Sequence, residues 1–276
     1  MGEYLSIDEV SLSNGELYTF LTNKAGKGKK GTLVASIKGT LSKDIKEVLY
    51  KIDSSKRLAV KEVTMDMAKN MESAVKEVFP NAERVVDRFH VIKLLQESLQ
   101  HIRIKYKKEA LDVENEAIKN AKTMGTKYIP KEFINGDSLK QLLARSKYIL
   151  VKRQDQWLKS QKERSVLLFE NYPDLQTAYL KVHEFRNIYE NKAKNEAEKM
   201  FKIWCEEILD NDKMKDFNTV ANTVKNNLDN ILNFFTNRNT NANAESFNSK
   251  IKLFRANLRG VTDTTFFLFR LHNLFA

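Results

Sequence analysis

Cysteine, proline and glycine are all scarce in this chain of 276 residues. The single cysteine, Cys205, excludes an internal disulfide and a zinc site built from several cysteines. It follows the apolar residues Ile203 and Trp204, which favours a thiol packed in the core over a reactive nucleophile. With 3 prolines and 9 glycines the chain has too few turn-forming residues for a sandwich or barrel, so a helix-rich fold is predicted.

Long apolar runs are also missing. No segment reaches the ~18 apolar residues that a membrane-spanning helix needs, and the first residues lack the pattern of a signal peptide. Together with the single thiol, these absences predict a protein of the reducing cytoplasm with no membrane partner.

Acidic residues are outnumbered by basic ones, 36 against 47, which gives a formal net charge of +11. A basic surface attracts polyanions, and nucleic acids are the commonest large polyanions in a cell. A lysine- and glutamate-rich surface on long helices would give a similar composition. The charge alone therefore leaves a nucleic-acid partner open.

The first third of the chain is predicted to be rich in strands. Three short runs of β-branched and aromatic residues, at 4–12, 17–22 and 32–37, have the composition of strands. Asn14-Gly15 separates the first two, and this dipeptide is a strong hairpin signal. A basic, glycine-containing turn at 24–31 is predicted between the second and third.

Helices and strands then alternate. Apolar residues at helical spacing between 45 and 52 predict a helix capped by Ser42, followed by a strand at 60–67. A second helical pattern at 71–79 is followed by a short strand at 83–86. An antiparallel meander followed by alternating helices and strands predicts an α/β fold with a mixed sheet.

Two aspartates occupy positions where a sheet-based site would need them. Asp8 lies inside the first predicted strand, and Asp66 closes the fourth. A carboxylate in an apolar strand is costly unless something pairs with it, and two on neighbouring strands repel unless cations lie between them. Mg²⁺ and Mn²⁺ prefer oxygen ligands and could hold such a pair. Hydrogen bonds to nearby backbone amides would explain each aspartate equally well.

Glu245 lies near the start of a helix predicted over 243–259. Four apolar residues form one stripe of this helix: Phe247, Ile251, Phe254 and Leu258. At 100° per residue the opposite side carries Glu245, Asn248, Ser249, Lys252 and Arg259, with Arg255 at its edge. The stripe would pack on the sheet, and Glu245 would precede a basic row, as a metal-binding carboxylate followed by phosphate contacts requires. An ordinary solvated face is the alternative.

Six short motifs follow one another along the chain: SIDE at 6–9, VTMDM at 63–67, FPNA at 79–82, VDRFHV at 86–91, YPDL with AY at 172–179, and NAESFNSKIK at 243–252. Together they resemble the catalytic domain of bacterial insertion-sequence transposases of the ISL-three group, which are relatives of the Mutator-like transposases. The segments DRFHV and AESFNSKIK are the most specific, whereas a lone IDE is a weak signal.

The resemblance implies an RNase H-like fold, with a mixed five-stranded sheet, flanking helices and a large all-helical insertion. It implies three parts: the first part of the core at 1–90, the insertion at 91–236, and the C-terminal core helices at 237–276. The family's N-terminal zinc-binding and helix-turn-helix region has no counterpart in this sequence, so either an isolated catalytic part or a truncated gene is expected.

The resemblance also implies a DDE triad. Asp8, Asp66 and Glu245 would be the catalytic acids and would bind two Mg²⁺ or Mn²⁺ ions, as in two-metal phosphoryl transfer. Asp87 and His90 match an accessory acidic-x-x-His motif. The choice between Asp66 and Asp87 as second acid stays open, and His90 could instead be a helix-start histidine bonded to Asp87.

The implied activity is cleavage and strand transfer of transposon DNA ends. The partners would be DNA, both transposon ends and target, and further copies of the chain in a dimer or higher oligomer near the bacterial nucleoid. Basic residues of the last part would contact phosphates: Lys250, Lys252, Arg255 and Arg259. A non-catalytic nucleic-acid-binding remnant and an RNase H-like nuclease are the alternatives.

Overall fold

The computed structural model describes residues 1–12, 15–258 and 263–276. They form two compact units: Met1–Val91 with Asn227–Ala276, and Ile92–Asn226. The second unit is helical and falls, in sequence, between the two segments of the first. The boundaries predicted from the sequence at 90/91 and 236/237 stay predictions.

The first unit contains a five-stranded sheet. Its strands are β1 (Tyr4–Ser11), β2 (Leu17–Asn23), β3 (Leu33–Lys38), β4 (Glu62–Met65) and β5 (Glu83–Val86). They lie in the order β3-β2-β1-β4-β5. The first three pair antiparallel, whereas β4 runs parallel to β1 and β5 parallel to β4. The sheet is mixed, as the sequence patterns predicted, and it is consistent with the RNase H-like fold that the resemblance implied.

The helices are named here in chain order. They are α1 (Ser42–Leu49), α2 (Ser54–Leu58), α3 (Lys69–Val78), α4 (Arg88–Thr123), α5 (Leu139–Arg145), α6 (Lys147–Val151), α7 (Lys159–Asn171), α8 (Pro173–Ile188), α9 (Lys194–Leu209), α10 (Asn218–Asn226), α11 (Leu228–Leu232), α12 (Phe234–Asn237), α13 (Ala242–Asn257) and α14 (Thr264–Phe275). Short 3-10 helices lie at Lys24–Gly26, Gln154–Gln156 and Asp212–Phe217. In the described ranges, no helix combines the length and the apolar character needed to cross a bilayer.

Helices cover both faces of the sheet. Because side chains alternate along a strand, Leu5, Ile7 and Val63 point to one face, where they pack with apolar residues of α1 and α3. On the other face, Val10 and Phe20 join a second cluster with residues of α13 and α14. The apolar stripe predicted for α13 is confirmed, since Phe247 and Ile251 are buried in this cluster and Phe254 and Leu258 pack against it.

Two local features near the strands differ from the sequence prediction, and a third agrees with it but includes residues outside the described ranges. Ser42 does not cap α1, because the helix begins at Ser42 itself and its hydroxyl has no hydrogen-bond partner among the described residues. The five-residue helix α2 was not predicted, since it is too short to show a period. The hairpin predicted between the first strands is confirmed by the Ser11 and Leu17 pairing, although Asn14 itself lies outside the described residues.

The second unit is held together by aromatic side chains. Trp204 is fully buried against Phe185 and donates its indole N–H to the Lys181 carbonyl at 2.9 Å. Trp157 is also buried. Burial raises the pKa of the Cys205 thiol to about 11, which confirms the core thiol. These residues stabilise the helical unit.

Candidate active site

The candidate site lies in the first unit, where β1, β4 and β5 run parallel and their carboxyl ends share one edge of the sheet. Asp8 is inside β1, and Asp66 and Asp87 immediately follow β4 and β5. Glu245 is in the first turn of α13, the helix that packs on the same sheet. Four acids that are far apart in sequence are therefore carried by neighbouring elements.

Asp8 is the most deeply buried of the predicted metal ligands, with 8% of its surface exposed. Its Oδ1 accepts a hydrogen bond from the Glu9 backbone N–H at 2.9 Å, and its Oδ2 accepts one from Asn248 Nδ2 at 2.6 Å. Burial raises the pKa of Asp8 to about 6; the charge of Asp66 adds to this rise, while His90 and the two hydrogen bonds oppose it. Asp8 is thus a carboxylate that a nearby cation would stabilise.

Asp66 is half-buried, and its Oδ1 accepts a hydrogen bond from the Ala68 backbone N–H at 2.8 Å. Its charge also reaches Glu9. Burial, followed by the charge of Asp66, raises the pKa of Glu9, while a hydrogen bond from Asn70 opposes the rise. A hydrogen bond to a nearby backbone amide was the alternative explanation for Asp66. That bond is present, but the charge of Asp66 still acts on Asp8 and Glu9. Glu9 belongs to the SIDE motif, but the sequence predicted no role for it.

Asp87 is buried, and α4 begins directly after it. The Phe89 backbone N–H points to Asp87 Oδ1 at 3.4 Å. His90 is indeed a helix-start histidine, but its Nδ1 lies 3.7 Å from Asp87 Oδ2, which is too long for a hydrogen bond. The direct bond considered from the sequence is therefore absent. Neither atom has a hydrogen-bond partner within the described part of the chain.

Glu245 is half-buried, and its Oε1 has no hydrogen-bond partner in the described ranges. Burial raises the pKa of Glu245, the charge of Asp87 raises it further, and His90 lowers it. His90 is therefore shared, because it acts on Asp8 as well as on Glu245. The charge of Asp66 therefore acts on Asp8, and the charge of Asp87 acts on Glu245.

The oxygen atoms of this site suit a hard divalent cation. Buried Glu245 Oε1, Asp87 Oδ2 and Asn248 Oδ1 lack hydrogen-bond partners among the described residues, and such oxygens need an explanation, for which a bound ion is one. Within residues 1–12, 15–258 and 263–276, no three acidic, histidine or cysteine side chains are already arranged to hold one metal ion. Carboxylates that repel one another in the absence of an ion would have to be drawn together by it.

The basic row predicted on α13 is divided between two environments. Lys250 and Lys252 are exposed, and Lys250 Nζ donates to the Gly28 carbonyl at 3.0 Å. Arg255 is instead buried, 3.6 Å from Glu16 and over the ring of Phe267. Arg259 lies outside the described residues.

Asn248 was predicted to lie with Glu245 on the side of α13 opposite the apolar stripe, with an ordinary solvated face as the alternative. Asn248 is buried because the helix turns two adjoining sides to the sheet. One side carries the apolar stripe, and the other carries Asn248, which reaches Asp8. A three-residue spacing also places Glu245 on the side of Asn248. The three-residue spacing was visible in the sequence, but the contact of Asn248 with Asp8 on β1 was not.

Sequence reasoning also missed a buried ion pair. Glu62 is 1% exposed on β4, and Lys24 Nζ lies 2.8 Å from its Oε1. The alternation along β4 could have found Glu62, because positions 62, 64 and 66 share one face of a strand. Nothing in the sequence identified Lys24 among the lysines of its turn.

Comparison with known proteins places the chain in a family. A family model described as a transposase, of the ISL-three DDE type, matches residues 5–271. No curated protein and no solved structure gives a significant match. The matched range includes every acid of the candidate site.

Proposed function

The chain belongs to the ISL-three family of transposases, and from this premise we propose that it is a catalytic domain that cleaves transposon DNA ends and transfers the strands with divalent metal ions. The observation that carries the proposal is the buried carboxylate of Asp8, whose pKa is raised to about 6. A charge held at that depth beside Asp66 is costly, and a bound cation would remove the cost.

Asp8, Asp66 and Glu245 are the proposed metal ligands. Two Mg²⁺ or Mn²⁺ ions bound there would activate a water or a DNA 3′-hydroxyl as nucleophile and stabilise the leaving oxygen. Asp8 is the central ligand of the proposal, because it is buried in β1 and the charges of both His90 and Asp66 act on it. Asn248 orients the Asp8 carboxylate by donating to one oxygen, so that the group presents a fixed edge.

Asp66 is retained as the second acid in this proposal, and Asp87 with His90 is accessory. The support is electrostatic: the charge of Asp66 acts on Asp8, whereas the charge of Asp87 acts on Glu245. Asp66→Asn is therefore expected to weaken Mn²⁺ binding more than Asp87→Asn does. A stronger effect of Asp87→Asn in a Mn²⁺ titration would exchange the two roles.

The proposed partner is DNA, bound through its phosphates. Lys250 and Lys252 are exposed on α13 and are the proposed contacts. Arg255 could join them only by leaving Glu16 and the ring of Phe267. Arg259 is proposed on sequence alone. Assembly into a dimer or higher oligomer on DNA is part of the same proposal.

The test is DNA nicking and strand transfer by Asp8→Asn and Glu245→Gln proteins. Each substitution should lower the rate at least about 100-fold, because a ligand of the reacting ions is lost. Asp53→Asn is the matched control, since Asp53 caps α2 and asparagine is an equally good cap. Near-wild-type rates from either site variant would end the assignment, and DNA binding without any response to Mn²⁺ would favour a non-catalytic remnant.

A further inference from the structure

The buried acid Glu62 is on the sheet face that carries the candidate site, yet none of the roles proposed above uses it. It belongs to β4 and is 1% exposed. Since residues two apart in a strand point to the same side, Glu62 shares its face with Thr64 and leads towards Asp66. A charged carboxylate at this depth is costly unless its oxygens are fully paired.

The oxygens of Glu62 are paired by two separate segments of the chain and by a neighbour on β4. Lys24 Nζ donates to Oε1 at 2.8 Å and also to the Thr64 hydroxyl, which itself donates to Oε1 at 3.2 Å. Asn237 Nδ2 and Asn239 Nδ2 donate to Oε2 at 3.1 and 2.9 Å. Burial by itself raises the pKa of Glu62, but these bonds more than offset it, so the net pKa lies below its ordinary value.

The two asparagines lie on the short connection that leads into α13. Asn237 ends α12, and α13 begins at Ala242. Within this connection the fully buried Asn241 offers its carbonyl to the Glu245 backbone N–H at 2.9 Å. The place where the connection is fastened to β4 therefore sets where the first turn of α13, with Glu245, begins.

We infer that Glu62 is a positioning residue: it holds the connection at Asn237 and Asn239 against β4 so that Glu245 starts its helix beside the acids of the sheet. The inference rests on the proposed function, because it concerns the placing of a proposed metal ligand. A bond that served stability alone would lower the melting temperature when removed and leave metal binding unchanged.

The experiment removes the connection's bonds and leaves the Lys24 and Glu62 pair in place. The variant is Asn237→Ala/Asn239→Ala. Its control is Asn230→Ala, which removes a 2.8 Å bond from another asparagine of the same unit to the carboxylate of Glu72. The probe is Mn²⁺ alone, titrated by thermal shift, together with single-turnover nicking and amide hydrogen exchange.

In the double variant the Kd for Mn²⁺ should rise about tenfold, as for other residues that orient metal ligands. The nicking rate at saturating DNA should fall by a similar factor with DNA affinity unchanged, and amides at 241–247 should exchange faster. Asn230→Ala should lower the melting temperature without these changes. Glu62→Gln should resemble the double variant, because its amide puts a donor where an acceptor is needed.

The inference is overturned if the double variant matches Asn230→Ala in Mn²⁺ affinity, even with faster exchange at 241–247. If Glu245→Gln itself leaves Mn²⁺ affinity unchanged, the proposed function fails instead. If Glu62→Gln does not fold, the double variant decides the matter alone.

Discussion

The two faces of the sheet in the first unit are packed in different ways. Where Ile7 and Val63 meet α1 and α3, the first face is packed by a large cluster of apolar side chains. The face under α13 has an apolar cluster at one end, but Asp8 and Glu62 are buried beside it. The first face gives the fold its stability, whereas the second holds charges that cost stability unless they are paired, and such charges are expected at a functional site.

The largest expected effect concerns metal binding on the face under α13. Mn²⁺ should raise the melting temperature of the wild-type chain, because an ion that binds only the folded state stabilises it by mass action. Glu245→Gln should remove most of that rise. A thermal-shift titration measures it, with Glu16→Gln, on the same unit but paired with Arg255, as the control. An equal rise in both variants would show that Glu245 does not bind the ion.

The next effect concerns the apolar face. Leu49→Ala in α1 removes a fully buried side chain and should lower the free energy of unfolding by about 2–5 kcal/mol. Urea unfolding measures the loss. The Mn²⁺ affinity of the folded variant should be unchanged, since this face carries no proposed ligand. A clear loss of Mn²⁺ affinity would show that the two faces are not independent.

A somewhat smaller effect is a gain in stability from Asp8→Asn in EDTA. Because the pKa of Asp8 is raised to about 6, the folded state keeps a proton that the unfolded state loses near its ordinary pKa of about 3.9. Stability therefore falls as pH rises from about 4 to about 6, and the charged carboxylate costs up to about 3 kcal/mol at pH 7.

The asparagine variant does not titrate, so the difference in unfolding free energy between the two proteins should be small near pH 4 and should grow in its favour up to about pH 6. Urea unfolding at several pH values measures it. With saturating Mn²⁺ the order should reverse, because only the wild type gains from the ion. A pH-independent difference would contradict the burial of a charge at Asp8.

The smallest effect concerns DNA contacts outside the packed faces. Lys250→Ala/Lys252→Ala should weaken binding to any DNA sequence and reduce the slope of log K against log salt by about 2. Fluorescence anisotropy at several salt concentrations measures the slope, with the exposed Lys56→Ala on α2 as control. An unchanged slope would remove these lysines from the proposed DNA contact.

Much of the fold could be predicted from the sequence where a pattern is local. The strand β5 was predicted with its observed bounds, and the hairpin between β1 and β2 follows from the Asn14-Gly15 signal. The apolar stripe of α13 is a period of one helix and needs no partner to be seen. By contrast, α2 is only five residues long and shows no period. A serine can cap a helix or lie in its first turn, and the residue type of Ser42 alone does not decide between the two.

The candidate site was predictable as a set of residues but not as a set of contacts. The resemblance drew attention to Asp8, Asp66 and Glu245 together with Asp87 and His90. It did not reveal that Asn248 donates to Asp8, because that bond joins residues 240 positions apart in the chain. Arg255 likewise was expected to face a phosphate, and only packing of α13 brought it to Glu16.

The sequence by itself determined the residue types and the periods: an α/β order of elements, a helix-rich remainder, and acids at the ends of apolar strands. Only the tertiary structure decided which oxygens lack partners among the described residues, which lysine reaches Glu62, and that a second side of α13, with Asn248, also meets the sheet. The physical reason is that burial and charge pairing depend on what lies across a contact, and residues distant in sequence supply it.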